Sequence, residues 1–123
     1  MVDALVVAGP AGDAGRTALA PLRVLTVPAM FGAEVTSGLR GMVQRGELTE
    51  QRARVALRRV RSARTMRYPF EPFAARVWEL RHSISVYDGW YVALAEWLDT
   101  TLLTADERLL SASGPRCRVE PPV

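Results

Sequence analysis

Short apolar runs rich in β-branched residues alternate along this chain with longer segments of helical period, the pattern of βαβ units wound around a parallel sheet. Residues 23–27 (RVLTV) read as a buried strand, and Pro28 suits the first turn of a helix whose apolar stripe is Phe31, Val35, Leu39 and Met42. Gly46 ends that helix. A second helix runs from Thr49 as N-cap to about Arg61, with Ala53, Ala56, Leu57 and Val60 inward and arginines outward. Further on come a short strand at 65–68, a helix at 72–80 carrying Phe73, Val77 and Leu80, and a strongly periodic helix at 87–98. A strand at 101–103, a last helix at 106–112 and an edge strand at 117–119 complete the series. The expected class is α/β. At 123 residues, with no repeat, linker or low-complexity stretch, residues 1–123 form a single domain.

The residue inventory narrows the chemistry. One cysteine, Cys117, and one histidine, His82, leave no CxxC or HxxxH set for zinc, so a metal would have to sit on carboxylates. No apolar run approaches a membrane span and no basic secretory leader is visible, so the expected location is cytoplasmic. All sixteen basic side chains are arginine, the formal net charge is +3, and the arginines crowd between Arg45 and Arg67. A basic zone of that kind meets phosphates or an acidic partner, although for any one arginine a solvated helix face is the simpler explanation.

Four acids stand at informative places. Asp106 follows the strand at 101–103, at the carboxyl end where open α/β sheets hold ligands. Thr104 and Glu107 also fit an S/T-x-x-E capping box, which would leave Asp106 as a first-turn acid complementing the helix dipole. Asp88 poses the same choice, since Ser85-x-x-Asp88 matches a capping box. Glu34 lies beside the apolar stripe of its helix, where an unpaired charge costs several kcal/mol; either a cation or Arg40 resolves that conflict. Asp3 either ends a very short first strand or precedes one at residues 5–8, and only the first alternative brings it beside Asp88 and Asp106.

The stretch Tyr87-Asp88-Gly89-Trp90-Tyr91-Val92-Ala93-Leu94-Ala95-Glu96, followed by Leu102-Leu103-Thr104-Ala105-Asp106-Glu107-Arg108-Leu109, resembles the signature of VapC-type PIN domains, approximately YDAxYVALAE and LLTxDxRL. Residues 28–40 are similar to the family's glutamate-bearing helix, and Val2-Asp3-Ala4 to its opening aspartate. Where members usually carry Asp-x-Ser or Asp-x-Thr, this chain has Leu5. The resemblance implies a PIN-like three-layer sandwich, with a four- to five-stranded parallel sheet flanked by helices. It implies acids Asp3, Glu34, Asp88 and Asp106 as ligands of Mg²⁺ or Mn²⁺, and metal-dependent cleavage of RNA by an activated water. It also implies a toxin–antitoxin pair with a VapB-type antitoxin as partner.

Carboxylate oxygens are the hard donors such ions prefer, and a dication removes the repulsion among clustered acids. Arg52, Arg54, Arg58, Arg59, Arg61 and Arg64 are candidates for phosphate contacts, with Thr104 a further polar position beside the last acid. The expected substrate is structured RNA, such as tRNA or rRNA, cut where its bases are unpaired. Trp90, Tyr91 and Trp97 are either base-stacking platforms or core and dimer contacts, and outward tryptophans together with the helical hairpin suggest a homodimer. A rival within enzymes is a metal-dependent DNA nuclease. The alternative of another class is a catalytically degenerate PIN domain acting as a binding or regulatory protein.

Overall fold

The computed structural model describes residues 4–8 and 24–121, with side chains described from Leu25 onward. Five strands, β1 (Ala4–Ala8), β2 (Val24–Pro28), β3 (Thr65–Tyr68), β4 (Leu102–Thr104) and β5 (Val119–Glu120), form one parallel sheet in the order β3-β2-β1-β4-β5. Among the described residues the helices are α1 (Phe31–Gln44), α2 (Glu50–Ser62), α3 (Ala74–Leu80), α4 (Val86–Trp97) and α5 (Glu107–Leu110), with a 3-10 turn at Glu71–Phe73. The strand order reverses between β1 and β4, and at such a switch point the carboxyl ends of the strands leave a crevice for ligands.

Local chemistry explains three of the helix ends. Thr49 accepts the Arg52 N–H at 3.2 Å and starts α2, and Ser85 accepts the Asp88 N–H at 3.1 Å and starts α4. Helix α1 closes on Gly46, whose φ of +73° suits a residue without Cβ. The Gly46 N–H donates to the Val43 carbonyl and the Glu47 N–H to that of Met42, a Schellman ending.

The sequence reading needs adjustment at two joints. Pro28 closes β2 and does not open α1, because the Ala29 N–H still donates to the Tyr68 carbonyl at 2.9 Å and holds the chain on β3. Helix α5 is a single turn whose N-cap is Asp106, not Thr104. The Thr104 residue stays in β4, and its hydroxyl accepts the Asp106 N–H at 3.0 Å.

The core sits between the sheet and the helices. Leu25 and Val27 of β2, Phe31, Val35 and Leu39 of α1, Val77 and Leu80 of α3, and Leu102 of β4 are buried together. Helix α4 lies deepest: Tyr91 through Ala95 are buried in succession, and at Gly89 a Cβ would come within 3.3 Å of Val77. Each fully buried Leu or Val contributes about 1.5–3 kcal/mol relative to exposure, so α4 is held in place by packing on several sides and its first turn is fixed with it. That first turn carries Asp88.

Candidate active site

Three helix starts converge at the carboxyl ends of the strands. Helix α1 leaves β2 and carries Glu34 in its first turn, α4 carries Asp88 in its first turn, and α5 is capped by Asp106 two residues beyond β4. Asp88 and Asp106 line one open cleft of about 220 Å³, together with Ser83, Ser85, Arg108 and Leu109.

The acids influence one another. Burial pushes the Asp88 carboxyl up from its ordinary value; the Ser85 hydroxyl opposes this, the Asp106 charge adds to it, and Arg108 counters weakly. Burial likewise raises Glu34, against the hydrogen bond from Tyr91 and with the charge of Asp88. Asp88 is thus electrostatically linked to an acid on either side. Asp106 Oδ1 accepts the Arg108 N–H at 2.9 Å, and the Arg108 Nε lies 3.7 Å away with its side chain almost wholly in solvent.

Glu34 does not pair with Arg40. Its Oε1 accepts a 2.7 Å hydrogen bond from the hydroxyl of Tyr91, a residue with no exposed surface, and burial together with Glu34 pushes the Tyr91 phenol far above its ordinary range. Sequence reasoning missed this partner and weighed Tyr91 only as a platform or core residue. The available signal was its spacing, since Asp88 and Tyr91 are three residues apart on one helix face.

The remaining candidates fall in different places. Asp3 lies outside the described residues. Strand β1 runs from Ala4, with its carboxyl end, Ala8, beside Thr104, so the alternative in which the first strand ends at Asp3 is not the one adopted. Thr104 is 1% exposed and supports Asp106 from within β4 rather than presenting a surface to a ligand. Arg52, Arg54, Arg58, Arg59 and Arg61 are exposed along α2, and Arg64 follows it, also exposed. Trp90 is half-buried edge-on to Phe70, while Trp97, 64% exposed, packs edge-on to Tyr68 and Phe73.

Glu96, at the other end of α4, belongs to a different arrangement. Arg76 grips it through Nε to Oε1 at 2.7 Å and Nη2 to Oε2 at 3.0 Å, and the Arg116 N–H donates to Oε2 at 2.7 Å. Burial pushes Glu96 up, but these donors outweigh it and leave its pKa below the ordinary value. The thiol of Cys117 is pushed up by burial, which argues against a thiolate nucleophile.

For metal chemistry the donor type fits: the acids offer only oxygen, Glu34 and Asp88 are each raised by burial and by a neighbouring acid, and among the described residues Arg108 is the cation that acts on Asp88. Among the described residues, no three acids, histidines or cysteines stand close enough to hold an ion as a ready-made set. No described helix is long and apolar enough to cross a membrane.

No family model matches the chain. Curated relatives do. The chain is 41% identical to ribonuclease VapC9 of Mycobacterium tuberculosis over 95 residues, covering 77% of this chain and 75% of the relative. It is 36% identical to ribonuclease VapC1 of the same organism over 126 residues, covering 98% and 95%. With ribonuclease VapC12 the identity is 37% over 109 residues, covering 87% and 84%. Resemblance at this level along nearly the full length, joined to an α/β sheet that carries acids at its carboxyl edge, means that the chain belongs to the VapC family of PIN-domain toxin ribonucleases.

Proposed function

We propose that this protein is a divalent-metal-dependent endoribonuclease, the toxin of a VapBC-type pair, which hydrolyses phosphodiester bonds in structured RNA such as tRNA or rRNA. The observation that carries the reading is that Asp88 shares one cleft with Asp106 and acts on Glu34 on its other side, with Asp88 and Glu34 both raised by burial and a neighbouring acid. Glu34, Asp88 and Asp106 would hold Mg²⁺ or Mn²⁺, directly or through water; Asp3, the fourth acid of the family pattern, lies outside the described residues and is not counted among them. The ion supplies Lewis-acid polarisation of the phosphate and a lowered pKa for the attacking water.

The chain's own residues do the rest. Ser85 and Thr104 fix the two aspartates at their helix starts, Tyr91 holds Glu34, and Arg108, exposed at the rim of the cleft beside Asp106, would meet a phosphate oxygen. Arg52, Arg54, Arg58 and Arg59 extend a basic face for the RNA backbone on either side of the cut. The fold reading is a PIN-type three-layer sandwich in the cytoplasm. A VapB-type antitoxin covers the site, and Trp78 and Trp97, each 64% exposed, contribute to a homodimer.

The test is an RNA cleavage assay on wild type, on Asp88→Asn and with chelator. Cleavage should fall by more than the roughly 10–100-fold that loss of a metal-supporting partner costs, in both the variant and the chelated sample. Undiminished cleavage in both rejects the mechanism. Asp3→Asn should cost less than Asp88→Asn, because the carboxyl end of β1 is at Ala8. A second reading, a PIN domain that binds without cutting, is favoured by the lack of a three-donor set among the described residues. Saturable Mn²⁺ binding that depends on Asp88 would refute it.

A further inference from the structure

Helix α4 offers two groups from one face to the same corner of the molecule. Asp88 sits in its first turn, and three residues later Tyr91 projects its hydroxyl onto Glu34 of the facing helix α1. The tyrosine ring has no exposed surface, so the core sets its rotamer and leaves its hydroxyl little freedom to wander. The bond is short, at 2.7 Å, and it engages one oxygen only. Oε2 of Glu34 has no hydrogen-bond partner among the described residues.

We propose that Tyr91 is the positioning residue for Glu34: by claiming Oε1 it fixes the carboxylate and leaves Oε2 to serve as a ligand of the ion that Glu34 and Asp88 would hold. The inference rests on the metal-dependent reading above and adds to it the group that aims one of its ligands. A carboxylate on a first helical turn otherwise samples several χ angles, and ordering it would weaken each binding event. Partners of this kind, which bond a ligand's second atom, typically govern metal affinity by 10–100-fold. Because the phenol is buried among apolar side chains, exchange for phenylalanine removes the hydroxyl and leaves the packing nearly intact.

The experiment is calorimetric titration of the purified chain with Mn²⁺ for wild type, Tyr91→Phe, Glu34→Ala and the double variant, alongside kcat and KM for RNA. Tyr91→Phe should raise the Mn²⁺ dissociation constant about tenfold and lower kcat, with KM unchanged. In the Glu34→Ala background the same exchange should change Mn²⁺ affinity by less than about twofold, because the tyrosine acts through the carboxylate. An equal loss in both backgrounds means a merely structural tyrosine and overturns the proposal. Wild-type affinity retained in Tyr91→Phe overturns it alone, whereas a wild type that takes up no Mn²⁺ overturns the metal reading and this inference together. Should Tyr91→Phe fail to fold, 3-fluorotyrosine at position 91 serves instead. Its ¹⁹F line should move with Mg²⁺ along the binding isotherm, and a line indifferent to Mg²⁺ overturns the proposal.

Discussion

The two ends of helix α4 treat a carboxylate in opposite ways. At its carboxyl end Glu96 is matched by the Arg76 guanidinium and the Arg116 N–H, and its pKa is held down. At its amino end Asp88 is partly buried next to Asp106 and Glu34, and its pKa is held up. An acid supplied with built-in donors serves the fold, since its charge is answered inside the chain. One left short of positive charge at a cleft costs stability in its charged form, and perturbed groups of that sort mark functional sites.

The contrast breaks most visibly at Arg76. Arg76→Ala would leave Glu96 partly buried without its cation and free the Gly114 carbonyl, which accepts from Arg76 at 2.8 Å. A loss of about 2–3 kcal/mol is expected, seen as a melting temperature lower by about 10 °C, with Mn²⁺ uptake unchanged in the folded protein. A variant that melts like wild type would remove the structural role given to this end of the helix.

Acidification should separate the two ends by sign. Glu96 has a lowered folded-state pKa, so its contribution is present above the unfolded value of 4.5 and is lost as pH falls through the folded value. Asp88 has a raised folded-state pKa, so its contribution is full below the unfolded value of 3.8 and is lost as pH rises through the folded value. Metal-free Asp88→Asn should therefore melt slightly above wild type at pH 7, and that advantage should vanish below pH 3.8. A melting temperature below wild type at pH 7 would show that Asp88 is a structural acid like Glu96.

The smallest effect belongs to the exposed arginines of α2. Arg58→Ala should weaken RNA binding about two- to threefold and lower the slope of log affinity against log salt by about one, with stability unchanged. An unaltered salt slope would confine RNA contact to the cleft itself.

Much of this molecule was legible in short windows. The α/β class, the Thr49 and Ser85 caps, the Gly46 ending and the family motifs around Asp88 and Asp106 all depend on groups within a few residues of one another. Backbone hydrogen bonding within one helical turn is a local matter, so composition and spacing suffice to read it. The joints at Pro28 and Thr104 differ from the local reading because pairing across the sheet, with Tyr68 and with Ala8, keeps each residue in its strand for longer than its side chain suggests. What answers a half-buried charge is settled by packing. Glu34 meets Tyr91, 57 positions away, and not Arg40 on its own helix, and Glu96 meets Arg76 from 20 positions away. Those pairings require two helices to lie at a particular distance and angle on the sheet, a relation set by the summed burial of their apolar faces and written in no single stretch of residues.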